Sequence, residues 1–236
     1  MEIMRYPYFP FGRACLLACA IGALTGFRPA VAQNDGGDQF LDGIGETALV
    51  ARYPLNGDTA DRSRNSHQAT LHGTGATYVE DSQFGKVLSL PGSGGAFVRI
   101  PGQALDGIDT LTVTGWVFLR SDAPWQRFFD FGPNTQTNFF CSLVGEEDAD
   151  GYRARITTRG WDGEQGPTAQ RVALNRWVHL AVVLDAPRQT LSLYLDGARA
   201  GQSSNVTLNL DPLLDRDDAR RNQLHLGKSQ YDTDPY

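Results

Sequence analysis

The residues of this 236-residue chain best suited to chemistry are its four tryptophans, its four histidines and two groups of acids. Trp125 (in Asp122-Ala123-Pro124-Trp125-Gln126) and Trp161 (in Arg159-Gly160-Trp161-Asp162-Gly163-Glu164) stand in polar, Gly- and Pro-rich stretches. Packing alone does not readily explain an indole in such a loop. A pyranose presents a flat apolar face ringed by hydroxyls, so an indole beside a hydrogen-bonding acid such as Asp162 is a pattern that could hold a sugar. The other reading is that each ring caps an edge of the fold. Trp116 and Trp177 lie in long apolar runs and are assigned to the core.

Asp58 and Asp61, with the nearby carbonyls of Asn56 and Gly57, form a mixture of hard oxygen donors that suits calcium. An Asx turn, in which Asp61 bonds its own backbone, explains the same residues without a metal. The second acidic group, Glu146-Glu147-Asp148-Ala149-Asp150-Gly151, sits in a loop before Tyr152 and does not have the E-x-D-x-x-E spacing with which two carboxylates on one strand face a single glycosidic bond. It reads as a solvated turn. The chain has no G-x-S-x-G elbow, and His67, His72, His179 and His225 include no H-x-x-x-H pair. No catalytic constellation is visible.

The elements that must position these groups begin after an export-like leader. Arg5 and Arg13 precede an apolar run over 14–27, and Ala30-Val31-Ala32 forms a small-residue cleavage site. Residues 1–32 are therefore expected to be a signal peptide, 33–46 a flexible Gly/Asp-rich leader and 47–236 the folded domain. The product is expected to be secreted or periplasmic, with no membrane attachment after cleavage. Without the signal, 18 basic residues face 26 acidic ones and no basic stripe appears, which argues against a nucleic-acid partner. One cysteine, Cys141, remains in the mature part, in an apolar stretch where a buried, inert thiol is expected.

From residue 47 onward, short runs rich in Val, Leu, Phe and Thr alternate with Gly, Asp, Asn and Pro. Strands are expected at 48–53, 69–72, 86–90, 97–100, 111–119, 128–131, 139–144, 153–158, 177–184, 191–195 and 223–226. Their spacing is that of an all-β sandwich. In 191–195 the leucines share one face and Ser192 and Tyr194 the other, and Asp196-Gly197 signals a hairpin. The runs 111–119 and 177–184 are apolar on both faces, as in strands buried on two sides.

Four stretches resemble the laminin-G-like domains of the concanavalin A-like superfamily: Ala51-Arg52-Tyr53-Pro54-Leu55-Asn56-Gly57-Asp58, Leu111-Thr112-Val113-Thr114-Gly115-Trp116-Val117, Phe128-Phe129-Asp130-Phe131-Gly132, and Trp177-Val178-His179-Leu180-Ala181 with Leu193-Tyr194-Leu195-Asp196-Gly197. The resemblance implies a two-sheet antiparallel jelly roll, a structural role for His179, and an ion near the first turn. It also implies a closing strand after Leu224-His225-Leu226-Gly227, and only residues 228–236 follow here, so a fragment of a longer protein is expected. The resulting expectation is a non-catalytic recognition module whose partner is a polysaccharide or other glycan. Two alternatives stay open: an ancillary domain of a longer glycoside hydrolase, and a protein-interaction or adhesion module.

Overall fold

The computed structural model describes residues 1–4, 48–93, 95–146, 151–211, 213–215, 217–218 and 221–234. The expected cleavage site, the leader 33–46 and most of the acidic run at 146–151 lie outside the described residues. Strands β1 (Glu2–Met4), β2 (Leu49–Arg52), β7 (Leu111–Phe118), β11 (Trp177–Asp185), β12 (Thr190–Leu195) and β13 (Ala198–Ser204) form sheet one, in the order β13-β12-β11-β7-β1-β2. Sheet two is ordered β10-β9-β8-β14-β6-β3, from β3 (Thr70–His72), β6 (Phe97–Ile100), β8 (Arg127–Gly132), β9 (Asn138–Ser142), β10 (Arg153–Thr157) and β14 (Gln223–Leu226). A separate hairpin pairs β4 (Thr77–Asp81) with β5 (Gly85–Ser89). The pairings between these strands are antiparallel. The fold is the all-β, two-sheet sandwich that the strand pattern predicts.

Period-two alternation decides which residues meet between the sheets. In β11, Val178, Leu180, Val182 and Leu184 point inward, and in β12 Leu191, Leu193 and Leu195 do the same. They meet Phe129, Phe131, Phe139, Ala154 and Ile156 of sheet two in one apolar core. Asp196 and Gly197 both take positive φ (49° and 81°), as a two-residue type I′ turn requires, and this closes the β12–β13 hairpin. Cys141 is free and fully buried, and burial pushes its thiol well above the usual range.

Each expected run contains a strand, and three strands go beyond them: β1, β4 and β13. β4 and β13 are short of buried apolar residues, so they leave no hydrophobic alternation to read. A second correction concerns the tryptophans placed in the core. Trp116 is 48% exposed and Phe118 41%, and Trp177 is only partly covered. Leu111, Val113, Gly115 and Val117 take the inner positions of β7, which turns Trp116 and Phe118 outward. The hairpin β4–β5 lies across them: Phe84 packs at 5.2 Å from the Trp116 ring and 4.8 Å from that of Trp177, whose Nε1 donates to Asp81 at 3.0 Å. A cleft of about 570 Å³ opens beside this aromatic cluster.

Candidate functional site

The polar side chains that strand alternation turns out of the core converge on the outer face of sheet two. Register places Arg153, Ser142 and Arg127 in one row across β10, β9 and β8. The next row runs Arg155, Phe140, Asp130 and His225 into β14. Strand β8 breaks simple alternation because its register shifts between Arg127 and Phe129. This bulge puts Arg127 on the same face as Asp130, three residues on, in place of the opposite one.

The Arg127 guanidinium is buried and fully committed. Its Nε lies 3.3 Å from Asp130 Oδ2, its Nη1 donates to the Trp125 carbonyl at 2.8 Å and its Nη2 reaches Asp234 at 3.0 Å. Its guanidinium carbon lies over the Phe140 ring, 4.4 Å from the ring centre. Asp130 also accepts from the Gln230 backbone N–H at 3.0 Å and from Asn138 Nδ2 at 3.2 Å. Burial pushes its carboxyl up to about 6, against the pull of Arg127 and these donors.

The segment 228–234 crosses this face as a strap. The Gln230 amide donates to the carbonyls of Asp130, Gly132 and Gln223, Ser229 donates to Asp234, and Tyr231 Oη donates to the Thr135 carbonyl at 3.1 Å. Tyr231 is left half-buried at the rim. Beside it Glu164 pairs with Arg155 at 3.5 Å. Burial raises the Glu164 carboxyl, against the attraction of Arg155, Arg153 and Arg127.

Of the residues proposed from sequence for ligand binding, Trp125 belongs to this cluster. Its ring lies 5.1 Å from the Arg153 guanidinium carbon and 5.8 Å from that of Arg127. Its backbone is left-handed (φ 64°), a conformation that costs energy for a bulky residue; it is held by its N–H to the Val144 carbonyl and by Arg127 on its own carbonyl. Trp161 lies in the turn after β10, 77% exposed, with Asp162 exposed next to it. Gly160 (φ 62°) makes that turn, its N–H bonded to the Gln136 carbonyl at 2.8 Å. The two indoles thus flank opposite ends of β10, a strand whose five residues span about 13–15 Å. Arg153, Arg155, Glu164 and Tyr231, lying between and beside them, were not identified from sequence.

Asp58 and Asp61 sit on a different part of the molecule. Asp61 is buried, and its two carboxylate oxygens accept from the N–H groups of Arg52, Ser63 and His67 and from the Ser63 hydroxyl, all within 2.8–2.9 Å. Asp58 is exposed, bonded to Arg62 at 2.7 Å and to the Ala60 N–H. Among the described residues no group of three or more His, Cys, Asp or Glu side chains could hold a metal ion.

His225 neighbours Asp130 in register and carries a measurable consequence. Burial, with Lys228 and Arg99 nearby, lowers its imidazole from 6.5 to about 3. The unfolded chain therefore takes up a proton near pH 6.5 that the folded chain refuses until about pH 3, so this stabilisation is full above 6.5 and is lost as pH falls through that window. Asp130 works in the opposite sense between about 4 and 6, where the folded chain keeps a proton the unfolded chain has released. The His225 contribution then dominates below about pH 4. His225→Gln is expected to lower the midpoint of acid unfolding, and a midpoint at or above that of the wild type in a pH titration followed by circular dichroism would contradict this.

The laminin-G-type family described as the concanavalin A-like lectin/glucanases superfamily matches residues 92–236, more than half of the chain. A search of curated proteins finds no match. Among solved structures, the chain is similar to Domain 4 of AbnA, an extracellular GH43 arabinanase of Geobacillus stearothermophilus, in complex with arabinotriose. The identity is 18%, covering 75% of this chain and 82% of that one, with a TM-score of 0.54. The carbohydrate-binding module CBM40 of a Ruminococcus gnavus sialidase, bound to sialyllactose, matches at 11% identity over 71% and 83%, TM-score 0.46. The CBM66 module of Bacillus subtilis matches at 11% over 67% and 85%, TM-score 0.38. By its family match and its two-sheet architecture, the chain belongs to the concanavalin A-like lectin/glucanases superfamily.

Proposed function

We propose that this domain is an exported, non-catalytic recognition module that binds glycan chains across the outer face of sheet two, between Trp125 and Trp161. The observation that carries the reading is the cluster of aromatic rings and paired charges on that face, Trp125 and Tyr231 beside Arg153, Arg155 and Glu164, with exposed Trp161 in the turn that follows β10. Rings offer stacking surfaces for the apolar face of a sugar, and the polar groups offer donors and acceptors to its hydroxyls. The similarity to an arabinanase domain solved with arabinotriose adds to this reading. Binding without catalysis is favoured because Asp130, Asp234 and Glu164 are each engaged by an arginine. Such carboxylates are poorly placed to move protons at a glycosidic bond. Among the described residues no helix is long and apolar enough to cross a membrane.

Titration against a panel of polysaccharides tests the proposal. Trp161→Ala is expected to weaken the best ligand about tenfold, equivalent to ~1.4 kcal/mol of lost stacking. The substitution should leave the unfolding free energy within about 0.5 kcal/mol of wild type, as for an exposed site. If no glycan binds, or if the variant binds as well as the wild type, this face is not the site.

A further inference from the structure

The β4–β5 hairpin and the outer face of sheet one border the cleft of about 570 Å³, a size that suits a small-molecule site. Its lining includes Trp116 and Phe118 of β7, Trp177 of β11, and Val79 and Phe84 of the hairpin. Trp116, Phe118 and Val79 are three of the six large apolar side chains that stay exposed among the described residues. Their exposure has a local cause. β7 turns its even positions away from the core, and the hairpin lays one ring, Phe84, between Trp116 and Trp177. Phe118 meets only the edge of this group, 5.6 Å from the Trp177 ring. Gathered apolar surface of this kind beside a cleft marks a place for a ligand.

The polar groups beside these rings already satisfy each other. Trp177 Nε1 donates to Asp81 Oδ2 at 3.0 Å, and Asp81 Oδ1 accepts from the N–H groups of Gln83 and Phe84 at 2.9 and 3.0 Å. Lys86 and Glu80 face each other at 4.0 Å, and both are exposed. Arg120 differs from all of these. It lines the cleft just past the end of β7, where its Nη2 donates to Ser89 Oγ at 2.7 Å and to the Leu90 carbonyl at 3.2 Å. Both acceptors are neutral, and among the described residues no carboxylate pairs with this guanidinium. Nε and Nη1 keep their donors for another partner.

A cation tied down by neutral acceptors beside exposed rings suits an anion that carries a flat apolar body. A sugar fits poorly, because its hydroxyls would lose water against rings whose polar groups are already engaged. An aromatic ring gains offset and edge-to-face contacts with Trp116 and Phe118 that an aliphatic chain cannot make. We propose that this cleft is a second binding site and that its ligand is a small aryl carboxylate, with its ring on Trp116 and Phe118 and its carboxylate on Arg120. The lining includes none of Trp125, Trp161, Arg153, Arg155, Glu164 and Tyr231, so the proposal stands apart from glycan binding.

The test titrates cinnamate, cinnamyl alcohol and hexanoate into the full chain, with binding followed by NMR. Cinnamate is expected to saturate with a Kd of about 0.1–1 mM, the scale for a ligand of this size. The alcohol lacks the charge and hexanoate lacks the ring, so each should bind about tenfold more weakly. Arg120→Gln is expected to weaken cinnamate about tenfold and to leave cinnamyl alcohol unchanged. That substitution also removes the bonds to Ser89 and Leu90. Ser89→Ala removes one of them and keeps the cation, and it should hold cinnamate within about twofold of wild type. Trp161→Ala, on the glycan face, should not change cinnamate binding. Failure of cinnamate to saturate by about 10 mM, equal affinity for the alcohol or for hexanoate, or wild-type affinity in Arg120→Gln overturns the proposal.

Discussion

Replacing Arg127 with alanine is expected to cost about 3–5 kcal/mol of unfolding free energy, the scale for breaking a buried ion pair by removing one partner. Four things are lost together: the bonds to Asp130, to the Trp125 carbonyl and to Asp234, and the contact with the Phe140 ring. Asp130 cannot move to water. Without the cation its carboxyl, already pushed up to about 6 by burial, should rise further and take up a proton near neutral pH. Asp234 meanwhile loses the anchor that ties the strap 228–234 to sheet two, and Tyr231 loses its support. Arg127→Ala should therefore also weaken glycan binding, although Arg127 itself is too buried to contribute much direct contact. Arg127→Lys keeps a charge and loses the planar fork that serves three acceptors at once, so an intermediate loss is expected. The double substitution Arg127→Leu with Asp130→Leu separates charge from packing. If the single-variant loss is the penalty for an uncompensated buried charge, the double variant should be more stable than Arg127→Ala. Chemical denaturation of the three variants decides it, and a double variant no more stable than the single one would show that the network's geometry, not its charge, holds the strap.

The interior of the fold is legible in the sequence because burial writes a period of two. Alternation alone places Leu191, Leu193 and Leu195 on one face, and Asp196-Gly197 names its own turn. That signal fails where both alternating sets are apolar. In β7 the pattern does not separate Leu111, Val113 and Val117 from Trp116 and Phe118, and the deciding feature is a neighbour, the Phe128 ring that approaches Gly115. The outer face is harder still. Arg153 and Arg155 flank Ala154 in alternation, a pattern that puts two guanidiniums on one side of β10, and this much is readable. Arg127 and Asp130 are three apart, a spacing that suits a helix; only the bulge in β8 aligns them. The part of the site supplied by 228–234 has no periodicity at all, since a strap bonded through Gln230 and Asp234 obeys the side chains it crosses and not a repeat. Trp125 and Trp161 stand out because an indole in a polar loop is conspicuous by composition. The charged groups around them depend on strand pairing across Asn138–Ser142, which local sequence does not encode.

Asp61→Ala is the second substitution with a large expected effect, about 3–5 kcal/mol, and it acts on a part of the molecule other than the proposed glycan face. The side chain closes the turn after β2 by accepting from Arg52 and Ser63 on Oδ1 and from His67 and the Ser63 hydroxyl on Oδ2. Hydrogen bonds to a charged acceptor are worth about 1.5–3 kcal/mol each, and a buried donor left without a partner costs about 1–3 kcal/mol. Water can enter to satisfy some of the four, which brings the total below their sum. Asp61→Asn keeps an acceptor for one pair of donors but presents an NH₂ to the other, so it should recover only part of the loss. Tyr53 reports on the same turn: its hydroxyl donates to the His67 carbonyl at 2.6 Å, and its ring is buried in the core. Loss of Asp61 should therefore be visible as a change in tyrosine environment as well as in Tm. A calcium ion at this turn would have to displace donors from Asp61 and draw Asp58 away from Arg62. A rise in Tm on adding calcium to the wild type, absent from Asp61→Ala, is the result that would place an ion there. A fall in stability on substitution with no response to calcium assigns the carboxylate to the backbone it already holds.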